Sequence, residues 1–419
     1  MRRAPSPALY FPPVRRRQRM IDLLARHLPA LTPASLPRAD VEGLYVHVPF
    51  CFHKCHYCDF YSITRQTDDR MDRFVDRILR EAEQWTDKSS RPTVRPRTIF
   101  FGGGTPTLLP LPAMRRVLIG LRERFDFSDM SEWTIEANPA TLSPEYAVML
   151  CEMGVNRLSF GAQSFRASEL ATLERHHDPA DVPRSLGIAR DAGFERLNLD
   201  LIYAIPGQDL PAWSESLEAA ITLGTSHLSC YGLTYEPKTP MAVRKRLGHF
   251  TGVDEDVELA MLRHTRARLA VAGLPSYEIS NYARPGEECR HNLVYWTGGN
   301  YVGLGPSAAS HVEGWRWRNR PHLGEWEQAV DRGGVPAVDV EQLTPIRRAG
   351  ELAMLLLRLR DGLDFSDFAA RTGYDARQIY ADQIDRLARP GLITVDARGV
   401  RLAERGLAVA DAVAAEFLF

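Results

Sequence analysis

LYVHVPFCFHKCHYCDF, Leu44–Phe60, runs an apolar strand pattern straight into three cysteines spaced Cys51-x-x-x-Cys55-x-x-Cys58. Thiolates are the ligands that iron–sulfur clusters take, and gaps of three and two residues let one loop wrap three corners of a cube. Three ligands for four irons leave one iron open to an exchangeable ligand. A structural zinc site wants four protein ligands. His53 or His56 stands close enough in sequence to be the fourth, so counting alone leaves zinc open. Structural or reactive thiols are the plainer alternative. The flanking Pro49-Phe50 and the aromatic Tyr57 between the last two cysteines favour the cluster.

Outward from this loop, strand-like and helix-like runs alternate. Apolar strand patterns fall at Leu44–Val48, Thr98–Phe101, Trp133–Ala137, Arg157–Phe160, Leu197–Tyr203 and His227–Leu233. Helical patterns lie between them, at Met71–Trp85, Ala113–Arg124, Pro144–Met153 and Pro211–Leu223. Repeated βα units call for a parallel sheet with helices outside. About six units predict an α/β fold with a partial (β/α)6 barrel rather than a closed eight-unit one.

Ligands in such folds gather at the carboxyl ends of strands. The glycine run Gly102-Gly103-Gly104-Thr105 follows the second strand, where bare backbone offers N–H groups to a ligand. Glu136 ends the third strand in IEANP, Gln163 the fourth in LSFGAQSF, and Asp200 closes the fifth in NLDLIYAIPGQ. Arg175 is read on a helix after the fourth strand. Each alone reads as an ordinary surface or capping residue; together they form one polar rim.

The 419 residues are 44% hydrophobic and 25% charged with net charge −1, ordinary for a globular chain and without a global pull toward nucleic acid or anionic membrane. No apolar run approaches the roughly 20 residues that span a bilayer. Of six cysteines, Cys151, Cys230 and Cys289 are scattered, which fits a reducing cytoplasm better than a disulfide framework. Met1–Ile21 carries Arg2, Arg3, Arg15, Arg16, Arg17 and Arg19 with no acid. It reads as a Pro-broken surface extension, an organellar leader being the alternative.

From about Ala329 the texture changes. Gly350–Leu359, Phe365–Thr372 and Ala376–Ala388 read as helices and Gly391–Arg401 as a hairpin turning at Ala397–Gly399, an order that resembles a winged helix. Asp382, Asp385 and Asp396 among its arginines argue against a nucleic-acid face. The expected division is 1–42 as a basic, Pro-rich extension, 43–328 as the barrel with its own extension, and 329–419 as a smaller helical domain.

These blocks, with NRLSFGAQSF and HNLVYW added, resemble the radical S-adenosylmethionine (SAM) family of oxygen-independent coproporphyrinogen III oxidases and their relatives, from about Leu44 to Arg318. The resemblance implies the partial barrel independently of the strand count. It implies a [4Fe–4S] cluster on Cys51, Cys55 and Cys58. It also implies SAM contacts for Tyr45, Tyr57, Gly103, Gly104, Thr105, Glu136, Gln163, Arg175, Asp200 and Thr234. Tyr45, Arg175 and Thr234 come from the resemblance more than from the strand-end reading.

Within the family the sequence is closer to the haem-chaperone members. The oxidase pattern has a further cysteine where this chain has Phe60, and the chaperone motif HNxxYW is complete as His291-Asn292-Leu293-Val294-Tyr295-Trp296. The resemblance implies haem contacts for His291, Tyr295 and Trp296. A histidine ring nitrogen can ligate haem iron and aromatics can pack on a porphyrin, though a buried histidine beside a core Tyr–Trp pair reads as well. Trp315, Arg316, Trp317 and Arg318 form either a porphyrin surface with propionate-binding arginines or a plain strand.

The expected function is haem binding and transfer to an acceptor haemoprotein. The alternatives are a radical enzyme of the coproporphyrinogen oxidase type, whether SAM is productively cleaved being open, and a SAM-dependent methyl or alkyl transferase. A DNA-binding role is a distant fourth. Fold does not choose among these, because function resides in sites.

Overall fold

The computed structural model describes residues 31–37, 39–86 and 94–419; the Arg-rich segment Met1–Ile21 lies outside them. Among the described residues no helix is long and apolar enough to cross a membrane. Six parallel strands form the barrel part: β1 Gly43–Val48, β2 Thr98–Gly103, β3 Glu132–Ala137, β4 Arg157–Gln163, β5 Arg196–Tyr203 and β6 His227–Gly232.

Each strand alternates, and the alternation fixes which way it faces. Leu44, Val46 and Val48 of β1, Ile99 and Phe101 of β2, and Trp133 and Ile135 of β3 are buried against the outer helices. Their neighbours, Tyr45, His47, Phe100, Glu132, Glu136, Arg157, Ser159, Asn198 and Asp200, take the opposite, concave face. The barrel interior is therefore polar. Helix Asp68–Ala82 is typical of the outer layer: Thr67 caps it by accepting from Arg70 N–H at 3.4 Å, and Met71, Phe74, Val75 and Ile78 supply its buried stripe.

The sheet extends beyond six strands at both edges. β7 Asn281–Ala283 pairs antiparallel with β6; β8 Tyr301–Leu304 runs parallel beside β1; β9 Ala309–Val312, β10 Trp315–Asn319 and β11 Ala337–Gln342 continue antiparallel from it. The order is β11-β10-β9-β8-β1-β2-β3-β4-β5-β6-β7.

The change of texture read at Ala329 falls inside helix Leu323–Asp331, and β11 still belongs to the main sheet. A separate apolar cluster begins at Ala349 and gathers Phe365, Phe368, Tyr380, Leu387, Val400 and Phe417. Its hairpin is present, β13 Ile393–Val395 against β14 Gly399–Leu402, with β12 Leu363–Asp364 on the far side of β14. The helix read as Ala376–Ala388 breaks at Tyr380 (φ −119°, ψ 18°) into Ala376–Ile379 and Ala381–Ala388. The break sinks the Tyr380 ring against Phe417, 4.9 Å between centroids.

Candidate active site at the carboxyl rim and the motif at the floor

After β1 the chain leaves the sheet through a pinned neck. Cys51 N–H donates to Ile63 O (3.0 Å) and Ile63 N–H to Pro49 O (2.7 Å), while Phe50 is buried edge-on to Phe74. The loop so closed holds Cys51, Cys55 and Cys58, all half-buried and free. Burial pushes the Cys51 thiol up and the Cys58 thiol up to about 11. Thr105 Oγ1 is 3.8 Å from Cys51 Sγ, and Arg175 Nη1 is 3.7 Å from Cys55 Sγ.

Arg175 lies in the turn after helix Ala167–Thr172, not on a helix. It is anchored by Nη2 donating to Gly161 O at 2.6 Å, while its buried Nε has no partner. A buried guanidinium beside the Cys55 thiol, with a donor to spare, fits an anionic sulfur cluster.

These residues line a cavity of about 1130 Å³. The rim residues expected from the strand ends all reach it: Gly103, Gly104 and Thr105, Glu136, Gln163 and Asp200, with Tyr57, Arg175 and Thr234. Gln163 sits at a bulge in β4 with φ +63°, which ends the regular pairing there.

The Glu136 carboxyl is pushed up to about 8 by burial first and by the Asp200 charge second, against the Gly103 N–H that it accepts. Asp200 accepts from Asn198 Nδ2 (2.9 Å) and Ser159 Oγ (3.2 Å), yet burial still raises it. Two buried carboxyls facing one cavity favour a cationic ligand, and SAM carries both a sulfonium and an ammonium.

Two expectations change. Tyr45 does not reach the cavity: it lies two residues before His47 on the same face, donates toward His47 Nδ1 at 3.2 Å and stacks on Phe100. The glycines serve the backbone more than the ligand. A Cβ on Gly103, at φ +98°, would lie 2.4 Å from the His47 ring, and one on Gly104 would lie 2.6 Å from Phe50 O. His47, His177 and Asn138 were not read from sequence. His177, buried on the cavity wall, donates from Nε2 to Ala162 O (3.1 Å), and burial followed by the Arg175 charge pushes it down to about 4. RHHD, beside the rim arginine, was the available signal.

HNLVYW lies at the opposite end. It forms the helix Arg290–Trp296, which closes the amino ends of β1–β3. Glu132, at the start of β3, accepts from Arg290 N–H and His291 N–H (both 3.0 Å) and pairs with Arg196 (2.9 Å). Burial opposes ionisation of Glu132, but the Arg157 and Arg196 charges outweigh it and hold the carboxyl low. The Cys289 thiol, 3.4 Å from the same carboxylate, belongs to this floor and not to the cluster loop.

His291 is 1% exposed and both its nitrogens are engaged, Nδ1 with Thr98 Oγ1 (2.9 Å) and Nε2 with Tyr295 OH (2.8 Å). Burial pushes it down to about 4, so the ring is neutral. Its face stacks on Phe100 at 5.4 Å. Trp296 lies under the Arg358 guanidinium, 4.8 Å away, with a buried Nε1 that has no partner. The motif expected to present a ligand and porphyrin-packing aromatics is here a plug.

The Trp315–Arg318 pattern is the strand β10: Trp317 stacks on Trp85, Arg316 pairs with Glu341 and Glu351, and Arg318 with Asp339. Those arginines already have carboxylates.

Residues 45–220 match the Radical SAM superfamily and residues 343–409 the HemN C-terminal domain. A protein of Mycobacterium tuberculosis named heme chaperone HemW is 36% identical over 394 residues, covering 93% of this chain and 98% of that one. This chain belongs to the HemW family of radical SAM proteins. HemW proteins of Bacillus subtilis (34% identity, 90% of this chain and 99% of that one) and Escherichia coli (33%, 87% and 94%) extend the likeness. The HemW fold here also matches the solved coproporphyrinogen III oxidase HemN of Escherichia coli, with TM-score 0.79, 24% identity and 92% of each chain covered. Radical SAM membership implies a [4Fe–4S] cluster and SAM.

Proposed function

We propose that this chain binds haem and passes it to an acceptor haemoprotein, with a [4Fe–4S] cluster on Cys51, Cys55 and Cys58 and SAM in the rim cavity. The observation that carries the cluster assignment is the pinned loop with three free thiols beside Arg175, whose donor is unpaired. The haem assignment rests on near-full-length likeness to proteins named heme chaperone HemW. A cluster with one open iron supplies one-electron chemistry at bound SAM.

The chain's own residues orient and neutralise. Glu136 and Asp200 accept from the cationic part of SAM, and Thr105, Gln163 and Thr234 offer hydrogen-bonding groups around it. Arg175 steadies the thiolate side. The scattered free cysteines support a reducing cytoplasm as its place.

His291 serves haem only if helix Arg290–Trp296 withdraws from the floor. Two neutral hydrogen bonds are then exchanged for an iron–nitrogen bond, a cost of about 1–3 kcal/mol before packing. The oxidase reading is disfavoured by Phe60, exposed on the cavity wall where the oxidase pattern has a cysteine.

The test runs haem titration beside an assay with coproporphyrinogen III, SAM and reductant. We expect haem binding, weakened in His291→Ala with cluster content intact, and no protoporphyrinogen IX. Robust turnover would restore the oxidase reading. Haem binding indifferent to His291 would remove that residue from the haem site.

A further inference from the structure

The lip of the cavity carries a second group of ligating side chains that the cysteine loop does not use. His53 stands on the loop between Cys51 and Cys55, and Glu174 and His176 flank Arg175 in the turn after helix Ala167–Thr172. One ligand atom from each lies within 4.8 Å of the other two. His53 Nε2 is 3.9 Å from Glu174 Oε2, and the His53 and His176 rings are 4.4 Å apart, edge to face.

His53 Nε2 is shielded from solvent and has no hydrogen-bond partner. A shielded polar atom without a partner calls for an explanation, and a coordinated ion is one. Glu174 is also held at φ +56°, a conformation that residues other than glycine seldom take.

We propose that His53, Glu174 and His176 form a site for a divalent transition ion of the zinc class, distinct from the cysteine cluster. Two imidazoles and a carboxylate are a donor set that zinc takes in three-ligand sites with an open fourth position. Calcium and magnesium call for oxygen ligands and are disfavoured.

Zinc bonds of about 2.0–2.2 Å need the donors closer together than they stand. His176 is exposed and Glu174 partly so, which leaves both side chains room to close. His56 Nδ1 accepts from Arg244 Nη1 at 3.3 Å and lies 3.7 Å from Glu174 Oε1. All three proposed ligands line the cavity, so the open position is available to whatever binds there.

The test uses cluster-loaded, full-length protein under anaerobic conditions, where the three thiols are already committed to iron. Zinc is added, the excess is removed by desalting, and zinc and iron are counted per chain. We expect one zinc retained beside unchanged iron. His176→Ala and Glu174→Gln, both outside the cysteine loop, should each weaken zinc binding at least about tenfold with iron unchanged. Wild-type protein that retains no zinc, zinc gained only as iron is lost, or variants that hold zinc as the wild type does would each overturn the site.

Discussion

Glu132 and Glu136 lie four residues apart on one strand and face the same interior, yet their surroundings are opposite. Glu132, at the floor, meets Arg196, two backbone N–H groups and a thiol, and is held ionised. Glu136, at the rim, accepts one backbone N–H, faces another carboxylate, and is pushed up to about 8. The floor is a closed polar plug and the rim an open one that wants a cationic guest. A buried carboxylate therefore marks a ligand site through the partners it lacks, not through its burial.

The comparison can be broken at several points. The largest effect belongs to the rim: Cys51→Ala, Cys55→Ala or Cys58→Ala should each abolish the cluster, while Cys151→Ala, Cys230→Ala and the floor variant Cys289→Ala should keep it. Iron and sulfide content of anaerobically reconstituted protein decides this. A cluster lost in Cys289→Ala would contradict the separation of the two ends.

At the floor, Glu132→Ala takes the carboxylate from beside the buried Arg157 and strands two helix N–H groups, Arg196 keeping Glu287. Breaking a buried pair this way should cost about 3–5 kcal/mol, read by denaturant unfolding of cluster-free protein. At the rim, Asp200→Asn and Glu136→Ala should leave folding nearly intact but weaken SAM by about 1.5–3 kcal/mol each, read by equilibrium binding with cluster content measured alongside. Unchanged SAM affinity in both would relocate the pocket.

The last effect is a slope. The unfolded chain releases the Glu136 proton near its ordinary 4.5, while the folded barrel keeps it to about 8. Its contribution to stability is therefore complete below the lower value and is lost as pH rises toward the upper one. Glu136→Gln should flatten that fall in melting temperature. Glu132, held low, has the opposite sign: its contribution is present at neutral pH and lost on acidification.

The six barrel strands were legible because each is a long apolar run with a Gly or Pro stop. β7, β8, β9 and β11 were not, being three to six residues long and partly polar, and β10 showed only as one of two readings of Trp315–Arg318. Glu132 escaped because the strand was read from Trp133, one residue late. The rim residues were found by position, but the glycine loop was found for an incomplete reason: His47 and Phe50, remote from it in sequence, demand the missing side chains. HNLVYW shows the sharper limit. Its histidine and tyrosine stand four residues apart, one helical turn, and nothing in that spacing says that Thr98 and Phe100 wait on the other side.

The pairing of β1 bears on the order in which the protein is made. One side of β1 finds β2 within about fifty residues of synthesis, but the other waits for Tyr301–Leu304. Until then the strand that leads into Cys51 is a sheet edge, open to any other chain. A ribosome must release more than two hundred residues beyond the cysteine loop before its supporting strand is enclosed. Iron delivered earlier would meet a loop whose base is half built. Chains halted just before β8 should accumulate as aggregating species without a stable cluster, even though they contain all three cysteines of the loop and the whole carboxyl rim.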